Sequence, residues 1–142
     1  MRTIIMTAMF LGIMFGASKV SMDAWSLITG GVLTIFGLRL FTHHSGRFYM
    51  FFIASICIGL GAHYFFHTSL NQTIIDVALA CAAAAFLGTF GFGQMFWRTN
   101  DPEADAETAK IGFIPMLLVY PVFTAVVGAI GGLLGNLFGR VF

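Results

Sequence analysis

Two histidines offer the clearest candidate for metal chemistry in this sequence. His63 and His67 are four residues apart, a spacing that places both imidazoles on one face of an α-helix, within reach of a single metal ion. Asp76, across a short polar turn, is the one plausible third ligand that the chain offers. Because structural zinc takes four protein ligands and catalytic zinc three, we expect no metal or haem here, and hydrogen-bonded or solvated rings instead.

The remaining residues that could do chemistry do not form a set. His43 and His44 cannot complete a four-histidine site, because nineteen residues of helix separate His44 from His63 by about 28 Å. Cys57 and Cys81 each lie in an apolar stretch without a neighbouring charge, which is typical of buried structural thiols. The sequence has no Ser/His/Asp arrangement, no phosphate-binding glycine loop and no carboxylate pair. We therefore predict no catalytic residue and no cofactor.

The composition indicates an integral membrane protein. Of the 142 residues 58% are hydrophobic and 9% charged, whereas soluble domains are roughly 25% charged. Long uncharged stretches approach or exceed the roughly 20 residues that a spanning helix needs. We predict one all-α domain, residues 1–142, built as a polytopic bundle of five transmembrane helices, or four if the first lies in the interface. The predicted helices are about 3–18, 24–41, 48–67, 74–97 and 111–138.

Two helix starts carry recognisable signals. Thr73 followed three residues later by Asp76 resembles a capping box, which would begin the fourth helix and place Asp76 at its outer end as a capping residue. Asp101, Pro102 and an acidic first turn indicate another start. We expect this second, polar helix to run on without a break into the segment 111–138.

The basic residues predict an orientation. With five spans and a cytoplasmic amino terminus, the cytoplasmic side holds Arg2, Arg39, Arg47, Arg98 and Lys110, and the opposite side holds Lys19 and Arg140. This bias is the one that the positive-inside rule requires, and it suits a bacterial cytoplasmic membrane. Trp97 would then lie at the inner interface as part of an aromatic belt. No charged residue falls at the middle of a span, which argues against a proton-driven carrier.

Small residues and prolines mark where the helices pack and bend. Glycines recur on one face of the last helix and of the first, which lets helix backbones approach closely. These helix-packing positions are Gly128, Gly132, Gly135 and Gly139, with Gly12 and Gly16 in the first helix. The stripe packs either against other helices of this chain or against another subunit. Pro115 and Pro121 are predicted to interrupt the last helix, since each lacks the N–H of a helical hydrogen bond.

Three functions fit this pattern. The leading hypothesis is a small non-catalytic accessory or structural subunit of a bacterial inner-membrane complex, with lipid and other membrane subunits, or further copies of itself, as partners. The second is a homo-oligomeric channel or small transporter with the segment 111–138 lining the path. The third is a metal- or haem-binding redox subunit that uses His63 and His67. The net charge of +1 and the lack of a basic run give no indication of nucleic-acid binding.

The orientation generates the first testable prediction. Single cysteines at positions 47, 71 and 100, in a background without Cys57 and Cys81, are treated with a membrane-impermeant maleimide on intact cells. We expect the residue at 71 to react from outside, and those at 47 and 100 only after permeabilisation, because the predicted loops alternate sides. Reaction at 47 and 100 from outside, with 71 protected, would show that the orientation is inverted.

Overall fold

The computed structural model describes residues 28, 30–36, 47–97 and 102–142. The described residues form helices joined by short turns, without a strand, so the predicted all-helical fold is confirmed for this part of the chain. The helices are α1 (Arg47–Gly61), which continues as a π-helical turn (Ala62–Phe66), α2 (Leu70–Phe92), which ends in a 3-10 turn (Gly93–Trp97), α3 (Pro102–Ala109) and α4 (Phe113–Val141). Residues 30–36 are also helical.

Two of these helices are long and apolar enough to cross a membrane. α2 has 23 residues and α4 has 29, and at about 1.5 Å per residue both lengths exceed a hydrocarbon core of about 30 Å. The apolar helix Phe51–Phe66 is shorter. The predicted helix 3–18 lies outside the described residues, and so does most of 24–41.

α4 is the central element of the described bundle. It packs along its length against both α1 and α2, whereas these two contact each other much less. The contact with α2 passes through glycines: a Cβ atom added to Gly128 would lie 2.7 Å from the Cys81 sulfur, and one added to Gly132 would lie 2.8 Å from the Val77 Cβ. No side chain fits at either position while the helices keep this spacing.

The contact between α4 and α1 is closer still and involves backbone on both sides. A Cβ atom on Gly135 would collide with the Ile56 carbonyl oxygen, and one on Gly59 of α1 would lie 2.5 Å from the carbonyl oxygen of Gly132. Gly139 faces the ring of His63 in the π-helical turn. In the structure the predicted glycine stripe, residues 128–139, therefore packs against other helices of this chain. Gly12 and Gly16 lie outside the described residues.

The start of α2 differs from the prediction. Ser69 is the N-cap, its side-chain oxygen accepting a 3.3 Å hydrogen bond from the Gln72 backbone N–H, and the helix begins at Leu70. Asp76 is therefore not a capping residue but lies in the second turn. The pattern of Ser followed three residues later by Gln is itself a capping box. The Ser69 pattern, and not the Thr73 pattern, sets the start of α2, because the preceding helix has already ended at His67, which has a left-handed backbone (φ 51°).

α3 and α4 are separate helices, contrary to the expectation of one continuous helix. α3 ends at Ala109, and Gly112, in an extended conformation (ψ 156°), precedes α4. Pro115 explains the break: inside a continuous helix its ring would clash with the carbonyl four residues earlier. In the first turn of α4 its missing N–H has no helical partner to lose, so Pro115 does not interrupt α4. Pro121 lies in the interior of the helix, and α4 continues through it without a break, contrary to the prediction.

Aromatic side chains close the end of the bundle where α2 ends and α4 begins. Trp97 stacks on Phe51 at 5.4 Å and meets Tyr120 edge-on at 4.7 Å. Its indole N–H donates a 2.8 Å hydrogen bond to the Thr89 hydroxyl, and only 1% of its surface is exposed. Trp97 thus packs α1, α2 and α4 together, with its ring buried among these helices.

The glycine contacts generate the second prediction. Gly59→Ala and Gly135→Ala should each destabilise the protein by about 1–3 kcal/mol, because the added methyl group meets backbone that cannot move aside alone. Gly91→Ala is the matched control: a Cβ there meets nothing within 4 Å, so the variant should be neutral or gain up to about 1 kcal/mol of helix propensity. Unfolding in mild detergent measures all three. Equal stability of the three variants would show that the close contacts do not exist.

Candidate functional site

Polar side chains gather at the end of the bundle opposite the aromatic residues. We define the polar cluster as Thr68, Thr73, Asn136 and Arg140. Thr68 lies in the turn before α2, Thr73 in the first turn of α2, and Asn136 and Arg140 near the carboxyl end of α4. The cluster thus joins two parts of the chain that are far apart in sequence.

A chain of hydrogen bonds runs through the polar cluster. The Arg140 Nε donates to the Asn136 Oδ1 at 2.9 Å, and the Asn136 Nδ2 donates to the Thr73 hydroxyl at 2.8 Å. The Thr73 hydroxyl donates to the Ser69 carbonyl at 2.9 Å and lies 2.7 Å from the Thr68 hydroxyl. Thr73 and Asn136 are completely buried, so water does not compete for the hydrogen bond between them, whereas Arg140 is exposed. The arrangement fixes the rotation of α4 relative to α2.

Asp76 lies one turn further into α2 and is not saturated with hydrogen bonds. Its side chain is 2% exposed, and its Oδ1 accepts a 2.8 Å hydrogen bond from the Gln72 side-chain amide. Its Oδ2 is buried without a hydrogen-bond partner among the described residues. A buried carboxyl oxygen without a donor is costly, and costlier still if the group is ionised. This is the one feature of the polar end that its own contacts do not explain.

The two histidines considered as ligands have different surroundings. His63 lies in the π-helical turn, where its ring packs against Gly139 and meets Tyr64 edge-on at 5.1 Å. His67 follows that turn, is exposed, and has the left-handed backbone that ends the helix. His63 thus takes part in the contact with α4, whereas His67 lies at the surface.

The described residues offer no metal-binding set. Among them, no group of three or more His, Cys, Asp or Glu side chains is placed to hold a metal ion. Cys81 is buried against Gly128, and Cys57 is partly buried. His43 and His44 lie outside the described residues.

Thr124 links α4 to α2 close to Pro121. The Thr124 hydroxyl lies 3.0 Å from the Pro121 carbonyl oxygen and 3.3 Å from the Cys81 carbonyl oxygen of α2, and Thr124 is completely buried. The carbonyl that Pro121 deprives of its helical donor is that of Leu117, four residues earlier. The Thr124 contacts therefore hold α4 against α2 and do not replace the hydrogen bond lost at Pro121.

Sequence reasoning did not find the link between Asn136 and Thr73. A usable signal existed, because Asn136 lies four residues from both Gly132 and Arg140 in an otherwise apolar helix. Asparagine in such a helix usually faces another helix, where its amide finds a hydrogen-bond partner. Its partner on α2 could not be identified from sequence, since it depends on how the two helices are paired and rotated.

Comparisons with known proteins do not assign this chain to a family: no family model matches it, and neither a curated protein nor a solved structure is significantly similar to it.

The polar cluster generates the third prediction. Thr73→Val and Asn136→Leu should each destabilise the protein by about 1 kcal/mol, because each leaves a buried partner unsatisfied. Combined, they should cost less than the sum, with a coupling energy of about 0.5–1.5 kcal/mol. The control pair is Asn136→Leu with Thr89→Val, whose sites lie at opposite ends of the bundle and should be additive within about 0.5 kcal/mol. Equal coupling in both pairs would show that the hydrogen bond contributes nothing.

Proposed function

We propose that this chain is a small non-catalytic accessory or structural subunit of a complex in the bacterial cytoplasmic membrane. Its amino terminus would be cytoplasmic and its helices would cross the bilayer up to five times. The observation that carries the proposal is the pairing of a tightly closed interior with long apolar surfaces on the two longest helices.

The outer surfaces of α2 and α4 are apolar over most of their length, with exposed polar side chains only near one end, at Asn71, Gln72 and Arg140. On α4, seven large apolar side chains, mostly four residues apart, are between 40% and 77% exposed. They are Ile114, Leu118, Val122, Val126, Ile130, Leu137 and Val141. On α2, Ile75, Leu79, Phe86 and Phe90 form a similar exposed row. Soluble monomers rarely expose continuous apolar surface of this extent. Lipid, or the helices of other membrane proteins, would cover it.

The interior of the described bundle supports a structural role. Glycine contacts bring α4 against the backbone of α1 and against side chains of α2, leaving no lumen along these interfaces. Buried hydroxyls are used within the chain: Thr34, Ser55 and Thr89 each donate to a carbonyl oxygen three or four residues earlier. Hydroxyls used in this way are not available to a permeating solute.

The channel hypothesis has weaker support. The face of α4 that points away from α1 and α2 is the apolar row just described, and water-filled paths are lined by polar groups or backbone carbonyls. The redox hypothesis also has weaker support, because His63 packs against Gly139 of α4 and no group of three candidate ligands occurs among the described residues. Both hypotheses can be tested by the measurements described below.

The fourth prediction tests the assembly directly. The tagged chain, expressed in its own host and extracted in a mild detergent, should co-purify with one or more other membrane proteins in fixed stoichiometry, identified by mass spectrometry. Gly135→Leu is the matched control, because it keeps the length and apolar character of the chain while breaking the contact between α1 and α4. Specific partners should be lost with this variant, and proteins that adhere non-specifically should remain.

Two results would contradict the proposal. Recovery of copies of this chain alone, with ion or solute flux in liposomes, would favour the channel. Near-stoichiometric metal, or a haem absorption band that disappears with His63→Ala, would favour the redox subunit.

A further inference from the structure

Asp76 is the single charged residue in the sequence of α2, and Arg140 is the single one in α4. Asp76 follows the first residue of α2 by six positions, which is about 9 Å along the helix axis. In a helix that is only just long enough to span a bilayer, a residue at this depth lies below the lipid headgroups. An ionisable group at such a depth suggests a functional site unless its contacts account for it.

The contacts of Asp76 do not account for an ionised carboxylate. Gln72 supplies one neutral donor to Oδ1, and Oδ2 has no partner among the described residues. The transfer of an isolated carboxylate into an apolar medium costs so much that such a group takes up a proton instead. The nearest basic group in the polar cluster, Arg140, is directed to the Asn136 amide.

The surrounding oxygens favour a proton over a metal cation. Hard cations are held by about six oxygen ligands. The Thr73 hydroxyl already takes part in three hydrogen bonds, and the Asn136 Oδ1 accepts from Arg140. The positive charge of Arg140 at the same end also disfavours a second cation. A proton needs no ligand beyond the carboxyl itself.

Few other charged or titratable side chains are described on the elements that pack against α2. α1 contributes the thiol of Cys57. α4 contributes Arg140 and, towards the aromatic end, Tyr120. The π-helical turn contributes His63, which packs against Gly139, and the exposed Tyr64, and His67 is exposed beyond that turn. The described residues of segment 30–36 include no charged or titratable side chain. Within the described part of the chain, the protonation of Asp76 is therefore set by burial and by the Gln72 amide.

We propose that Asp76 is a proton-binding site, a carboxyl group that is neutral in the membrane at neutral pH and can exchange its proton. The proposal does not depend on the subunit role proposed above. It also changes the argument from sequence against proton coupling, which assumed that Asp76 was an interfacial cap.

The fifth prediction uses dicyclohexylcarbodiimide, an apolar reagent that selects protonated carboxyl groups in membranes. The carboxyl proton moves to a carbodiimide nitrogen and the carboxyl oxygen bonds to the central carbon. The resulting O-acylisourea rearranges to a stable N-acylurea without loss of any atom. Native membranes are treated at neutral pH, and the modified residue is mapped by mass spectrometry. We expect labelling of Asp76, loss of it in Asp76→Asn, and weakening of it at alkaline pH.

Two variants serve as controls for the labelling of Asp76. Asp105→Asn, in helix α3, should not change the labelling of Asp76, because it removes a carboxyl group that lies outside the polar cluster and its surroundings. Asp76→Asn should unfold in detergent like the unmodified protein, since an amide resembles a neutral carboxyl in size and charge.

Three outcomes would overturn the proposal. The first is absence of labelling, which would mean an ionised and paired carboxylate. The second is protection by sodium at constant ionic strength, which would mean a sodium site. The third is marked destabilisation by Asp76→Asn, which would mean that the charge is structural.

Discussion

The close approach of α4 to α1 and α2 is the constraint on which the rest of the described structure depends. Gly132 faces Gly59 backbone to backbone, and Gly135 faces the Ile56 carbonyl. In a bilayer, burying an apolar side chain between helices gains little, because lipid is equally apolar. Stability then has to come from van der Waals contact and hydrogen bonds at short range. Glycine permits both, and it confines α4 to one position between its neighbours.

The closely packed helices are held together by different interactions at the two ends of the bundle. At one end Trp97 fills the space between α1, α2 and α4, and its indole nitrogen bonds Thr89. At the other end the helices are held by the Asn136–Thr73 hydrogen bond. Van der Waals packing tolerates small rotations of a helix, whereas a buried hydrogen bond does not. The polar cluster therefore defines the rotation of α4, and the glycines define its distance.

Asp76 stands apart from this scheme because nothing in the described bundle uses its second oxygen. Polar groups that serve packing are saturated: Thr73 donates once and accepts from its neighbours, and Thr124 lies between two carbonyls. A buried carboxyl oxygen without a hydrogen-bond donor lowers the stability of the folded protein and does not help to hold the helices together. That contrast separates a group with a chemical role from groups with a structural one.

The sequence by itself determined the helical class, the two long apolar helices and the positions of small residues, because these follow from composition and from local periodicity. It did not determine where α2 and α4 begin. Two overlapping capping patterns, at Ser69 and Thr73, competed for the start of α2, and Pro115 allowed either a kink or a first turn. Only the tertiary structure decided that Asp76 is buried, that Asn136 meets Thr73 and that Trp97 lies inside, since each depends on which helix faces are brought together. Those pairings depend on contacts between residues up to 79 positions apart, as between Ile56 and Gly135, and a local pattern carries no information about them.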